Sequence, residues 1–486
     1  MRGRRWKAAV VLSFLLLPGP IPAEEAAFLD RFGLEASLRA RFEAWNWFEA
    51  QSGDNEYGFG ATTLRTGIRY LHGPLASFVE FQNTSLVGLP DDATAPAPEG
   101  ALGLGAVYFA HNREQDDTGF FLKQGFLTLN AEPLGLRGLS LTGGRFEFSD
   151  GLEVLTGDAT LDWLKKLRVS QRLLGPFGWS HVGRAYDGFK LVYDTPAANL
   201  TMMTTHPTQG GFDLNGMDEM DRIDLLYGAL TVKRSERLPF GEGRLFYLYY
   251  GDGRNVTKVD NRPPGPRAAD RQDISLSTFG AHFIAVRDMG PGKGDLLLWG
   301  AWQDGEWGVL EHSAWAWAAE LGYRFTGVAW SPWLRAGAFR GSGDDDPADR
   351  DHDTFFQVLP TARLYSFSTF YNLMNNQDYF VQMILKPHAQ LLWRTDLRFV
   401  RLTEGRDLWY QGAGPTLGKR IFGYTGRPGF GETDLMTLVE TTLSYDITSS
   451  LNLNLYYMHS FGGRLVSRIF ENHDADFGYV ELQFTL

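Results

Sequence analysis

The chain has 486 residues, no cysteine and a formal net charge of −12 at pH 7. The absence of cysteine excludes disulfides and cysteine-based metal sites. The acidic balance argues against a nucleic-acid partner.

The N-terminus has the features of a secretory signal peptide. Basic residues between Arg2 and Lys7 precede an apolar stretch at 8–17, which is too short to span a bilayer as a helix. Small and helix-breaking residues follow, up to a plausible cleavage site after Ala23. We therefore expect residues 1–23 to be removed, leaving one domain over 24–486. An uncleaved anchor is the alternative.

Beyond the signal, segments of about ten residues alternate apolar with polar or small side chains. Such alternation gives a strand one apolar and one polar face. No later apolar run approaches the roughly 18 residues of a transmembrane helix, and the other structure that can span lipid is a closed barrel. The pattern predicts about eighteen strands, at 34–44, 60–71, 75–84, 121–130, 138–148, 184–194, 198–206, 222–234, 242–251, 274–287, 295–304, 312–326, 329–340, 376–387, 389–400, 434–447, 450–461 and 475–486.

Short and long connections alternate between these strands. Turns such as 72–74 and 448–449 alternate with long polar segments such as 85–120, 149–183 and 341–375. This alternation is typical of outer-membrane barrels. It predicts an all-β, antiparallel up-and-down transmembrane barrel of about 18 strands, with long extracellular loops and periplasmic termini. The alternative is a soluble β-sandwich or propeller.

One long loop contains a helical pattern. In Asp158–Leu174, leucines recur at roughly helical spacing, and Asp158 or Thr160 could cap the helix. The other face carries Lys165, Lys166, Arg168 and Arg172. The segment is either a basic helix at a pore mouth or a solvated loop helix packed on its neighbours.

The cost of a charge in lipid predicts which strand face points inward. An Arg or Lys facing mid-bilayer lipid costs roughly 2–4 kcal/mol, whereas water in a lumen solvates it. In 34–44, Leu38 and Phe42 therefore face lipid and the alternate residues face inward. The same rule, with Phe146 and Phe148 assigned to lipid, predicts an inner wall containing Arg39, Arg41, Arg65, Arg69, Arg145, Glu147, Lys190, Arg335, Arg394, Asp396 and Arg398.

This arginine-rich wall has two interpretations that do not exclude each other. Rings of Arg or Lys select anions in pores, and guanidinium groups bind carboxylates in a bidentate way. Alternatively, arginine–carboxylate ladders brace a wide barrel and solvate its wall. The first interpretation predicts an anion-selective pore.

Several sequence blocks, in order along nearly the whole mature chain, carry a family resemblance. They are LRTGIRY (64–70), GPLASFVEFQNT (73–84), FFLKQGFLTL (120–129), GGRFEFSDG (143–151), LRVSQRLLGPFGWSHVGRAYDGFKLVYD (167–194), DTFFQVLPTARLY (353–365), LKPHAQLLWRTDLRFVRL (385–402) and GETDL (431–435). By these blocks the chain resembles the alginate export family of outer-membrane β-barrel proteins.

The resemblance implies an eighteen-stranded barrel with a narrow, basic lumen. Such a barrel would export an acidic polysaccharide such as alginate, and loops and a periplasmic turn would gate it. Carried onto this chain, the resemblance assigns selectivity to Arg65, Arg145 and Arg394, with Arg39, Arg41 and Arg398 as further candidates. It makes Glu147 and Asp396 the acidic partners that orient them.

Two other functions stay open. The barrel could be a porin that takes up small anionic solutes, or a non-conducting structural or adhesin barrel. No phosphate-binding glycine loop, HExxH or GxSxG motif is present, so we expect no enzyme, cofactor or metal site.

The remaining partners follow from the predicted location in the bacterial outer membrane. They are outer-membrane lipid and lipopolysaccharide, and the barrel-insertion machinery. We expect that machinery to read the apolar alternation of the last strand, which ends at Leu486.

Overall fold

The structure, a computed structural model, describes residues 31–236, 238–361, 370–419 and 421–486. The predicted signal peptide at 1–23 lies outside the described residues. The strands are β1 (Phe32–Asn46), β2 (Glu56–His72), β3 (Leu75–Val87), β4 (Asp117–Asn130), β5 (Leu139–Phe146), β6 (Tyr186–Asp194), β7 (Ala198–Pro207), β8 (Ile223–Val232), β9 (Gly241–Asp252), β10 (Ile274–Met289), β11 (Gly292–Trp307), β12 (Leu310–Phe325), β13 (Trp333–Gly341), β14 (Asp351–His352), β15 (Asn376–His388), β16 (Leu391–Leu402), β17 (Leu408–Gly412), β18 (Tyr424–Pro428), β19 (Asp434–Asp446), β20 (Leu451–Gly462) and β21 (Asp474–Thr485).

Helical segments occur only in the connections of the described chain. They are α1 (Leu104–Asn112), α2 (Ala159–Leu164), α3 (Pro264–Ala269) and α4 (Val466–Ile469), with a 3₁₀ turn at Glu132–Leu134 and a π-helical turn at Lys165–Val169 directly after α2. No helix in the described ranges is both long and apolar enough to cross a membrane.

Eighteen of the described strands close into one antiparallel barrel. They are β1–β13, β15, β16 and β19–β21. Closure is made by β1, which pairs with β2 on one side and with β21 on the other, so that Arg41 lies opposite both Ala61 and Glu481. The predicted eighteen-stranded up-and-down barrel is confirmed, and each predicted strand overlaps an observed one.

The long connections contain more regular structure than the sequence predicted. The two-residue β14 adds to β12 in parallel, β17 and β18 form a separate hairpin, and α1 lies between β3 and β4. The predicted cap of the loop helix is present, because the Asp158 carboxylate accepts hydrogen bonds from the backbone N–H groups of Thr160 and Leu161.

Burial alternates along the strands as the facing rule predicts for β1–β3. On β1, Leu38 and Phe42 are exposed on the outer face, whereas Arg41 and Glu43 are buried on the inner face. Exposed leucines, valines and aromatic residues continue around the outside and form an apolar surface. Such a surface is stable against lipid rather than against water.

The barrel interior is packed with folded loops. The longest of them, which we call the inner loop, comprises residues 147–185 between β5 and β6. Its Leu161, Leu164 and Val169 share one buried apolar cluster with Phe146 and Phe148. The prediction that Phe146 and Phe148 face lipid is therefore wrong. The rule assumed a watery lumen, but here an apolar loop surface covers the inner wall.

Candidate functional site

The inner loop contacts the barrel wall through two segments of different chemistry. We call Lys165–Arg172 the cationic segment and 178–184 the carbonyl segment. The first contributes charged side chains, and the second contributes backbone oxygens.

The cationic segment forms buried ion pairs with carboxylates of the wall. The Lys165 ammonium pairs with Glu242 on β9. The Arg168 guanidinium donates to both carboxylate oxygens of Glu320 on β12, at 2.8 and 2.9 Å. Arg335 on β13 also donates to Glu320, at 2.9 Å. All five side chains are almost completely buried, so this contact excludes water.

The predicted basic loop helix thus lies neither at a solvated mouth nor on the surface. Lys165, Arg168 and Arg172 are buried against the wall, while Lys166 stays exposed. Their charges are compensated by strand carboxylates, because a buried charge is stable only when it is paired.

The carbonyl segment is held by donors from β1–β4. Arg39 donates to the carbonyl oxygen of Gly178 at 2.7 Å, and to that of Ser180. Four other side chains of the wall each donate a hydrogen bond to another backbone carbonyl of the segment. The donor and acceptor residues are Arg41 and Trp179 (3.1 Å), Thr63 and His181 (2.9 Å), Gln82 and Val182 (2.9 Å), and Lys123 and Arg184 (2.9 Å). Most carbonyls of this segment are therefore bound by the wall.

These two attachments lie on opposite walls. The carbonyl segment contacts β1–β4, and the cationic segment contacts β9, β12 and β13, which lie about half a turn around an eighteen-stranded barrel. The inner loop consequently crosses the lumen.

Beside the crossing lies a cavity of about 420 Å³, which we call the arginine cavity. Three arginines from the wall meet there, Arg39 and Arg41 from β1 and Arg394 from β16. The rest of the lining combines aromatic, aliphatic, hydroxyl and amide side chains with one carboxylate, and includes Trp163, Leu167, Trp179, Ile384, Leu392, Thr442, Ser444, Asn454, Tyr479, Glu481 and Gln483. A smaller cavity of about 150 Å³, which also borders Arg39, is lined by Arg65 and Glu147.

Acidic neighbours hold these arginines in place. Arg41 pairs with Glu481 at 2.6 Å, across the junction of β1 and β21. Arg394 pairs with Asp396 through two of its nitrogens. Arg65 pairs with Glu147 at 3.1 Å. Both acidic partners that the family resemblance suggested, Glu147 and Asp396, thus contact a predicted arginine.

Two other predicted arginines lie in closed ion-pair networks. Arg398 is completely buried and pairs with Asp378 at 2.5 Å and Glu440 at 3.2 Å. Arg335 is equally buried and pairs with Asp295 at 3.0 Å as well as with Glu320. These side chains brace the wall and do not line the arginine cavity.

Arg69 and Lys190 lie away from the cavity. Arg69 forms an exposed ion pair with Glu35 near the end of the barrel that carries the short turns. The Lys190 ammonium lies 5.1 Å from the ring centre of Phe146.

Arg145 is on the other face of the wall from the predicted one. It shares the face of Leu141, which is 44% exposed, whereas the adjacent Thr142 is buried. The guanidinium makes a bidentate pair with Asp187 on β6, at 2.6 and 2.7 Å. The prediction that Arg145 lines the interior is therefore wrong. The facing of Phe146 was predicted wrongly for the same reason. The inner wall is covered by protein and not by water.

Sequence reasoning missed three buried carboxylates of the wall. Glu242 and Glu320 bind the cationic segment, and Asp295 binds Arg335; all three lie on the inner face of their strands. Applying the facing rule to β9, β11 and β12 would have placed them inside. It would not have identified a loop as the partner of Glu242 and Glu320.

Burial shifts the pKa values of two side chains on the inner loop in opposite directions. Burial lowers the pKa of His181 to about 4, which outweighs its hydrogen bond to Glu43 at 3.1 Å. At neutral pH that bond therefore comes from a neutral imidazole and is not an ion pair. Burial raises the pKa of Asp150 to about 7.

Comparison with known proteins gives a family and a fold. A family model described as alginate export matches residues 29–469. Pseudomonas aeruginosa OccK9 (OpdG) is similar in structure with a TM-score of 0.58 and 11% identity, covering 94% of this chain and 99% of that one. P. aeruginosa OpdK, solved with vanillate, has a TM-score of 0.55 and 11% identity, covering 93% and 98%. Acinetobacter baumannii OccAB4 has a TM-score of 0.56 and 9% identity, covering 94% and 98%. No curated protein matches the chain in sequence.

Proposed function

The chain belongs to the alginate export family, an outer-membrane barrel family, and on this premise we propose that it exports an acidic polysaccharide such as alginate. It is a channel of the bacterial outer membrane for anionic solutes. The proposal adds the identity of the solute and the direction of transport. The observation that supports the choice of solute is the composition of the arginine cavity.

Three kinds of side chain in the cavity lining match parts of a uronate sugar. The guanidinium groups of Arg39, Arg41 and Arg394 suit a carboxylate. Hydroxyl and amide side chains can exchange hydrogen bonds with sugar hydroxyls. The rings of Trp179 and Tyr479 offer flat apolar faces for the carbon face of a pyranose. Inorganic anions would not contact the apolar faces of these aromatic rings.

The described conformation supports a closed state of this channel. Arg39 and Arg41 already donate to carbonyls of the inner loop, and their donors lie where a solute carboxylate would bind. Hydrogen bonds to a charged acceptor are roughly twice as strong as those to a neutral one. A passing carboxylate can therefore replace the loop carbonyls, releasing the carbonyl segment from the wall. We propose this exchange as the opening step.

A second candidate is uptake of a small anionic solute. The arginine cavity, at about 420 Å³, has the size of a small-molecule site. OpdK, a structural neighbour, was solved with vanillate. A small carboxylate would use the same arginines but would leave much of the polar lining unused.

Planar-bilayer conductance tests the proposal. We expect anion selectivity, and block by a short oligouronate but not by the neutral oligosaccharide of equal length. Anion selectivity without oligouronate block would favour small-solute uptake. Cation preference would overturn both candidates. An absence of conductance, even after deletion of the inner loop, would favour a structural or adhesin barrel.

Two matched variants assign the selectivity to the cavity. Arg394→Gln removes an arginine that borders the cavity, and Arg145→Gln removes one that pairs with aspartate on the other face. We expect the first to lower the anion-to-cation permeability ratio and the second to leave it unchanged. Equal effects of both would show that net charge, rather than the cavity, determines selectivity.

The exposed apolar surface supports contact with outer-membrane lipid and lipopolysaccharide. Signal cleavage after Ala23 and recognition of β21 by the insertion machinery also belong to the proposal. Mass determination of the mature N-terminus tests the first.

A further inference from the structure

A second, larger cavity lies among the long connections of the barrel. We call it the roof cavity; its volume is about 630 Å³. It lies between the segments 88–116, 208–222, 253–273 and 403–433, and it shares no lining residue with the arginine cavity. Most of its lining is apolar, and includes Trp47, Leu104, Val107, Phe212 and Phe430.

One wall of the roof cavity holds a buried positive charge that contacts no carboxylate among the described residues. Arg427 on β18 is only 5% exposed. It donates to the carbonyls of Glu99 and Ala101, at 2.7 and 2.8 Å, and to the side-chain oxygen of Gln411. Among the described residues, no carboxylate oxygen lies within 4 Å of its nitrogens. The guanidinium also lies over the rings of Trp47 and Trp409, 5.6 and 4.8 Å from their centres.

Carbonyls and rings compensate this charge only in part. Burial in such surroundings disfavours the charged form, and the pKa of Arg427 is accordingly lowered to about 9. An anion in the cavity would remove this penalty. The site therefore has a charge that a ligand could complement.

A second cation borders the same space. Arg267 on α3 lines the cavity, and within the described ranges its side chain has no hydrogen-bond or ion-pair partner. The guanidinium groups of Arg267 and Arg427 outnumber the single carboxylate of the lining, that of Glu99, so the lining carries a net positive charge.

We propose that the roof cavity binds an amphipathic carboxylate, a molecule with one anionic group on an apolar body of several rings. A cavity of about 150 Å³ holds one benzene ring, so this one admits a substantially larger body. The ligand differs in class from the transported solute. A sugar covered with hydroxyls would leave most of them without partners against this apolar lining, at a cost for each buried group.

The roof cavity is tested with the full chain in lipid nanodiscs, using the fluorescent probe pyrene-1-carboxylate. The matched neutral probe is pyrene-1-carboxamide, and empty nanodiscs measure partition into lipid. We expect saturable one-to-one binding of the carboxylate, about tenfold or more tighter than the amide, because an interaction with a buried guanidinium contributes about 1.4 kcal/mol or more.

Three variants locate the binding. Val107→Trp fills the cavity from α1 and should abolish saturable binding. Arg267→Gln should weaken carboxylate binding about two- to fivefold, the range for a partly exposed ion pair. Arg271→Gln serves as its control, since Arg271 lies on the same connection, is exposed and does not line the cavity.

Equal affinity for the two probes would overturn the charge argument. Unchanged binding in Val107→Trp would overturn the location. Conductance and oligouronate block of Val107→Trp separate this inference from the proposed function, because the roof cavity shares no residue with the arginine cavity. We expect both to equal those of the unmodified chain.

Discussion

The two attachments of the inner loop differ in what holds them. The cationic segment contributes charged side chains to carboxylates of the wall, and both partners are buried. The carbonyl segment contributes neutral backbone oxygens to donors of the wall, of which Arg39 is partly exposed. Removing one partner of the first contact leaves a buried charge, whereas the second can be replaced by any better acceptor. The comparison indicates a fixed attachment on one wall and an exchangeable one on the other.

The largest effect is expected at the fixed attachment. Glu320→Gln leaves Arg168, Arg172 and Arg335 without their shared carboxylate. Breaking a buried ion pair costs about 3–5 kcal/mol. We expect the free energy of unfolding, measured by urea titration in detergent, to fall by that amount.

The control for this variant is Glu311→Gln on the same strand, where the side chain is exposed. We expect it to change the free energy of unfolding by less than about 0.5 kcal/mol. A small loss in both variants would contradict the fixed attachment.

A smaller effect on stability, with a larger one on gating, is expected at the exchangeable attachment. Arg39→Gln removes charged donors from the carbonyls of Gly178 and Ser180. The free energy of unfolding should fall by about 1.5–3 kcal/mol, the value for a hydrogen bond to a charged group. Single-channel recording should show a larger open fraction.

Arg69→Gln is the matched control, because Arg69 forms a solvent-exposed ion pair with Glu35 and does not contact the inner loop. If both variants left the open fraction unchanged, the carbonyl segment would not be the gate.

Acidification should affect the two attachments in opposite directions. The pKa of His181 is lowered to about 4, so the unfolded segment binds a proton more readily between pH 6.5 and 4 and the stability of this attachment falls as pH drops. The pKa of Asp150 is raised to about 7, so its contribution to stability is present at low pH and is lost as pH rises through 7. Asp150 accepts a hydrogen bond from Leu174, close to the cationic segment.

The open fraction should therefore increase between pH 7 and 4.5 without loss of the folded barrel. His181→Gln should remove this increase. A variant that keeps the full pH response would show that another group is responsible.

The smallest effect concerns the helix that precedes the cationic segment. Asp158→Ala removes two hydrogen bonds at the N-terminus of α2 and should cost about 1 kcal/mol in the free energy of unfolding. Asp158→Asn keeps an acceptor and is the control. An equal loss in both variants would assign the effect to charge, through the ion pair with Arg234, rather than to the cap.

The barrel could be predicted from the sequence because its signal is local. Alternation with a period of two places Leu38 and Arg41 on opposite faces whatever the rest of the chain does. The positions of all eighteen barrel strands follow from this rule. The short β17–β18 hairpin carries no such repeated signal, so the alternation does not predict it.

The candidate site was predictable only in part. Whether a side chain lies on the inner or the outer face of the wall depends on what fills the lumen. Arg39, Arg41 and Arg394 were placed inward by the cost of charge in lipid, and they border one cavity. Arg145 was misplaced because Phe146 was assigned to lipid, when the inner loop makes an apolar interior for it. A contact such as Arg168 with Glu320 joins residues 152 positions apart, and no local pattern encodes it.

Arg41 has a consequence for the order in which the barrel is assembled. The same guanidinium binds Glu481 on the last strand and the carbonyl of Trp179 on the inner loop. The first strand therefore completes its contacts only when the C-terminal strand has arrived and the inner loop is in place. Because the loop also reaches the opposite wall, it is expected to be enclosed while the strands are still curling, and not threaded in afterwards. A chain whose loop docks late would close around an empty lumen.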